Sequence, residues 1–158
     1  TEKLPTNFIF AGAIARALPR ARILHMARHP VDTCFSNLRT YFSSAAAYSY
    51  DQIELARYYA EYRRLMSHWS GTIPSCLITV SYDDLVHSTE ATARRIFEFC
   101  GLPFEDAALR TTRESGSVST ASSAIVRQGI RKDRGGAWKP YERQLQPLIA
   151  ELEASGLL

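Results

Sequence analysis

Residues 21–36 read ARILHMARHPVDTCFS, and this stretch decides how the rest of the chain is understood. Ile23, Leu24 and Met26 give residues 21–28 the apolar density of a buried strand. Pro30 then opens a helix at the position where its missing N–H leaves nothing unsatisfied, and that helix is expected to run to about residue 42. A strand that passes directly into a helix puts Arg28, His29, Asp32 and Ser36 around the strand's carboxyl end. Parallel α/β sheets bind ligands there, because helix N-termini offer free N–H groups and the positive end of a dipole. Arg28 supplies a planar fork of donors suited to a phosphate, and Ser36 a hydroxyl about two turns into the helix. The same spacing suits an ordinary salt bridge from Arg28 to Asp32, so the residues alone leave both readings open.

Outward from this stretch, helices and strands alternate. Residues 7–18 read as a helix ended by Pro19. Residues 43–49, rich in Ala and Ser, read as a loop, after which Asp51 can cap a long helix to about residue 69. Ile53, Ala56, Tyr59, Tyr62, Met66 and Trp69 recur at three or four residues along that helix as one core stripe. Gly71 and Pro74 precede a second buried strand over residues 76–82, carried by Leu77, Ile78 and Val80. Residues 89–100 form a helix with Gly101 in the left-handed position after its end. Residues 114–136, polar and serine-rich with adjacent glycines, read as a long loop, and residues 141–152 as a closing helix. This order implies an α/β domain built on a parallel sheet, without an internal repeat.

Composition narrows the function. A chain of 158 residues with 46% hydrophobic content can build a real core of one domain. The net charge is only +3, yet residues 11–30 hold four arginines and no acid, and residues 110–143 hold eight Lys or Arg against three acids. Two basic clusters in a nearly balanced chain fit a compact anionic ligand better than a nucleic acid, which calls for a larger excess. Solvated basic surface would give the same counts. Cys34, Cys76 and Cys100 are too few and too widely spaced for a disulfide framework or a zinc site, and read as buried reduced thiols. No run of eighteen apolar residues and no leader pattern occurs, so neither a membrane span nor a signal peptide is expected.

The order Arg28-x-Pro30-x-Asp32-x-x-x-Ser36 resembles the way the sulfotransferase superfamily binds the 3′-phosphate of its donor, 3′-phosphoadenosine 5′-phosphosulfate (PAPS). Val80-Ser81-Tyr82-Asp83-Asp84-Leu85 resembles the family's Tyr-Glu-Asp-Leu segment, whose tyrosine lies beside the donor nucleotide. Tyr82 taken alone would read as a core aromatic. The run from Arg131-Lys132 through Gly136 to Trp138-Lys139 is similar to the family's Arg-Lys-Gly-x-x-Gly-Asp-Trp-Lys. Asp133 stands where that pattern has glycine and Ala137 where it has aspartate, which puts a carboxylate near the phosphate; a flexible basic loop is the alternative. Glu2-Lys3-Leu4-Pro5 looks like the Lys-x-Pro segment of tyrosylprotein and related bacterial enzymes, in which the lysine stabilises charge on the bridging oxygen. Glu2 is a weaker candidate base, and Ser122 aligns with a serine near the donor in the tyrosylprotein branch.

The resemblance implies a PAPS-dependent sulfotransferase with a three-layer parallel sheet of P-loop-like type, incomplete at the N-terminus. Residues 1–158 would be the C-terminal part of a single domain, because no Pro-x-Ser-Gly-Thr loop for the 5′-phosphosulfate occurs. The nearest glycine-containing stretch, Phe10-Ala11-Gly12-Ala13, falls inside an expected helix. An upstream segment of the same protein is then expected to complete the fold and bring the catalytic base. The implied roles are Arg28, Ser36, Arg131 and Lys132 on the 3′-phosphate, Tyr82 and Ser122 beside the donor, and Lys3 and Glu2 in chemistry. The acceptor would be a small molecule, peptide or glycan, no metal is implied, and the Ala- and Arg-rich composition favours a bacterial, cytoplasmic enzyme. The alternatives are a non-catalytic nucleotide-binding or interaction domain of the same fold, and a P-loop kinase, which needs a Gly-x-x-x-x-Gly-Lys-Ser/Thr loop.

Overall fold

The structure, a computed structural model, describes residues 1–109 and 135–158. They fall into two units, residues 1–79 with 136–158 and residues 80–135.

In the first unit, a 3-10 segment Pro5–Phe10 leads into helix α1 (Ala11–Ala17), strand β1 (Ile23–Ala27) and helix α2 (Pro30–Leu38). Where one helix is expected over residues 7–18 there are two segments, because Phe10 has φ −102° and ψ 9°, outside the helical region. Two short 3-10 turns fill Ser43–Tyr50, broken at Ala46, and helix α3 (Gln52–Thr72) follows. Asp51 caps α3 as its residue type predicts, accepting from the N–H groups of Ile53 and Glu54, each at 2.9 Å. Strand β2 (Leu77–Ser81) pairs with β1. The Ile23 N–H donates to the Cys76 carbonyl and His25 meets Thr79, so residue numbers rise together along both strands and the pair is parallel.

Helix α6 (Gln146–Ala154) closes the chain, after a 3-10 turn Lys139–Tyr141. It starts later than the expected residue 141; Pro147 stands in its first turn, where a missing N–H is harmless. The core of this unit lies where α2, α3 and α6 meet. Val31, Cys34 and Phe35 pack against Leu55, Ala56 and Tyr59, and against Leu148, Ile149 and Leu152. Ile53, assigned by its spacing to the core stripe, is instead 39% exposed, and Leu55 takes its place. The rest of the stripe keeps its place, since Ala56, Tyr59 and Met66 are buried as expected. Burial pushes the Cys34 thiol up to about 12, so it packs as an inert apolar group.

The second unit contains α4 (Tyr82–His87) and α5 (Thr89–Cys100). The boundaries of α5 match the expectation, and Gly101 takes φ 67° at its end. The sequence pattern carries the second strand on to Tyr82, whereas the structure starts α4 there. The Ser81 hydroxyl accepts from the Asp84 N–H at 3.2 Å, an N-cap that ends β2 and starts the helix.

The architecture is thus mixed helix and strand with a small parallel sheet, an α/β arrangement. Two points depart from the sequence reading. Among the described residues the sheet has two strands, and β1 is half-buried on one face and exposed on the other, with Leu24 and Met26 44% and 45% exposed. The expected loop over residues 114–136 lies outside the described residues apart from its last two, and so do Ser122, Arg131 and Lys132.

Candidate functional site

Two neighbourhoods of the first unit hold the sequence-derived candidates. One surrounds the start of α2. Strand β1 ends at Ala27, and Arg28 and His29 form the turn into Pro30. The Arg28 carbonyl accepts from the Tyr59 hydroxyl at 3.3 Å, which ties this turn to α3. Arg28 Nη2 lies 3.4 Å from Asp32 Oδ1, so the ion pair foreseen from the spacing exists, though at a long distance. Three-quarters of the Arg28 side chain is covered, and that of Asp32 almost wholly.

Both oxygens of Asp32 also accept from the backbone N–H of Gly136, each at 3.1 Å, across 104 positions of sequence. Beside this bond the rings of His29 and Trp138 stack at 6.0 Å with an interplanar angle of 12°. Gly136 takes φ 76°, and a Cβ there would come within 3.0 Å of the Lys139 side chain. The turn Gly136–Lys139 is therefore fixed against the first turn of α2. The described end of the Arg131–Lys139 motif thus meets the first turn of the Arg28–Ser36 motif, through Asp32 and His29. Ser36 is exposed, one turn beyond Asp32 on α2.

The other neighbourhood is a cleft of about 780 Å3 along β1. Glu2 and Lys3, both exposed, line one side, and Tyr62 and Met66 of α3 line another. Ile23, Leu24, His25 and Met26 all reach the cleft although successive strand residues point to opposite faces, so the cleft follows the strand's edge away from β2, which is unpaired among the described residues. Neither Arg28 nor Ser36 lines it. The N-terminal segment is held by the Trp69 indole N–H, which donates to the Phe8 carbonyl at 2.9 Å, and by the edge-on packing of Phe8 and Tyr62.

Two polar residues of this cleft, His25 and Tyr62, are not singled out for chemistry by the sequence. His25 Nε2 bonds the Tyr62 hydroxyl, and Nδ1 lies 3.0 Å from Thr79 Oγ1. Burial, and then the positive charge of Arg63, lower the His25 imidazole to about 4. Burial, followed by Tyr59, raises the Tyr62 phenol to about 12. Both are therefore neutral near pH 7. The one sequence signal for this link is a histidine inside an apolar strand, on the same alternating face as Ile23 and Ala27.

Tyr82 is half-buried at the first position of α4, in the second unit. Among the described residues no cluster of His, Cys, Asp and Glu has the geometry to hold a metal ion, and no helix is long and apolar enough to cross a membrane.

Comparison with known proteins gives two matches. Residues 1–106 match the model of the family described as "Sulfotransferase family". A protein of Aquifex aeolicus (strain VF5), described as an uncharacterized protein, is 31% identical over 155 residues. The alignment covers 96% of this chain and 20% of that protein, so the chain spans about a fifth of the relative's length. No solved structure matches the chain.

Proposed function

The chain belongs to the sulfotransferase family, and from that premise we propose that it forms the C-terminal part of a single sulfotransferase domain of three-layer, P-loop-like type. That domain moves a sulfonate from PAPS to an acceptor hydroxyl. The observation that carries this reading is the meeting of two distant motifs at one helix start, through the Asp32–Gly136 bond and the His29–Trp138 stack. Arg28 and Ser36 hold the 3′-phosphate there, with Arg131 and Lys132 from the chain that precedes the Gly136 turn, and Tyr82 and Ser122 lie beside the donor.

In the reaction the bond from sulfur to the phosphate oxygen breaks while one forms to the acceptor oxygen, and 3′,5′-bisphosphoadenosine leaves. Negative charge collects on the bridging oxygen, and the Lys3 ammonium offsets it. The acceptor proton passes to Glu2 or to a base on an upstream segment. That segment of the same protein adds a strand beside β1, whose Leu24 and Met26 expose apolar surface. The acceptor is a small molecule, a peptide or a glycan, and the enzyme is cytoplasmic.

The test is calorimetric titration of the full-length protein with 3′,5′-bisphosphoadenosine and with 5′-AMP. The bisphosphate is expected to bind at least about tenfold tighter, since charge-assisted contacts to its extra phosphate are worth roughly 1.5–3 kcal/mol each. Arg28→Ala should remove most of that preference. Equal affinity of the unaltered protein for the two nucleotides would overturn the reading.

A further inference from the structure

Asp32 is the one charged residue among the described residues that is buried, at 5% exposure. A carboxylate at the third position of a helix commonly accepts N–H groups of its own first turn and meets the helix dipole. Here its oxygens reach elsewhere: the Gly136 N–H donates to both, and Arg28 to Oδ1. A buried charge is retained at a cost in desolvation, and in some proteins what it gives in return is a specified arrangement rather than stability. We propose that Asp32 is a positioning residue for the anion site. It holds the Arg28 guanidinium and the Gly136 turn in one register, so that the guanidinium faces the 3′-phosphate of the donor. This rests on the reading of Arg28 as a phosphate contact.

Two effects of Asp32 on an anion oppose each other, and their signs differ. Its negative charge repels a phosphate, so removing it by plain electrostatics strengthens anion binding. Its bonds aim Arg28 and fix the turn, so breaking them weakens binding. Geometry favours the second effect. The Asp32 side chain is 6% exposed against 24% for Arg28, so the arginine is the more accessible of the two, and both Asp32 oxygens are engaged by the Gly136 N–H. His29, three positions earlier, stacks on Trp138 of the same turn and is a second contact that holds it.

Asp32→Asn keeps the shape and removes the charge. An amide oxygen in the place of Oδ1 can still accept from both Gly136 and Arg28, but the NH2 group in the place of Oδ2 then faces the Gly136 N–H, and the charge that holds the guanidinium is gone. The experiment measures binding of 3′,5′-bisphosphoadenosine and 5′-AMP to the full-length protein and to this variant, with thermal unfolding of both. The expected result is a loss of at least about fivefold in the preference for the bisphosphate, with 5′-AMP affinity within about twofold of the unaltered protein. A preference that stays the same or rises overturns the proposal, and so does a parallel loss of both nucleotides with a lowered midpoint, which marks a structural role. If the unaltered protein shows no preference, the 3′-phosphate reading fails and this proposal with it; a preference kept by the variant sinks the role of Asp32 alone. Should the variant not fold, amide hydrogen exchange in the unaltered protein decides. The Gly136 N–H should be protected, and more so with the bisphosphate than with 5′-AMP, whereas exchange at the rate of a free amide in both overturns the proposal.

Discussion

Gly12 provides a quantitative check on how the N-terminal segment is held. It lies in α1, and a Cβ there would come to 2.5 and 2.6 Å from two ring carbons of Trp69, about 1 Å inside van der Waals contact. That ring cannot move away freely, because its N–H donates to the Phe8 carbonyl at 2.9 Å. Gly12→Ala gains about 1 kcal/mol of helix propensity. Against it stand about 1–3 kcal/mol of overpacking and about 1 kcal/mol if the Trp69–Phe8 bond is stretched apart. The substitution should therefore destabilise by about 1–3 kcal/mol, a fall of roughly 2–10 °C in the unfolding midpoint for a domain of this size. Gly71, in the last turn of α3, is the matching control: a methyl group added there would find nothing within 4 Å. Gly71→Ala should stabilise by up to about 1 kcal/mol and raise the midpoint accordingly. Thermal unfolding followed by tryptophan fluorescence reads both, since Trp69 and Trp138 are the two tryptophans. A Gly12→Ala protein as stable as the unaltered one would refute the close approach of α1 to Trp69, and with it the anchoring of the segment that carries Lys3.

Asp51→Ala should cost about 1 kcal/mol, because two N–H groups at the start of α3 lose their acceptor; urea unfolding measures it, and a neutral result would remove the cap. The folded state holds His25 at about 4 against an ordinary 6.5, so between these values the unfolded chain binds more protons and stability falls as pH is lowered. His25→Gln should flatten the fall in midpoint between pH 6.5 and 4 relative to the unaltered protein, and an unchanged slope would refute the assignment. If Lys3 offsets charge on the bridging oxygen as proposed, Lys3→Ala in the full-length protein should lower kcat at least about tenfold with donor affinity nearly unchanged, because that charge develops only as the bond breaks. Parallel loss of both would make Lys3 a binding contact.

Much of the local structure follows from residues acting on their near neighbours. Asp51 and Gly101 mark helix ends through one side-chain oxygen and one missing Cβ, effects that need no tertiary partner. Pro30 starts α2 for the same kind of reason. The run of motifs is equally legible, because the Arg28–Ser36 interval and the Trp138 turn are patterns of residue type and spacing. Which residues meet across the chain is not legible. Nothing in the neighbourhood of Asp32 announces that its oxygens accept from Gly136, 104 positions away, nor that His29 stacks on Trp138. The link from His25 to Tyr62 and Thr79 depends on how α3 crosses β1 and on the parallel pairing with β2. Ile53 and Leu55 both suit a helix core by type, and the packing of α3 against α2 and α6 chose between them. Caps and turns are settled within a few residues by backbone geometry and hydrogen bonding. Burial, shifted protonation and the particular bonds between distant residues depend on which surfaces lose water together, and only the packed chain decides that.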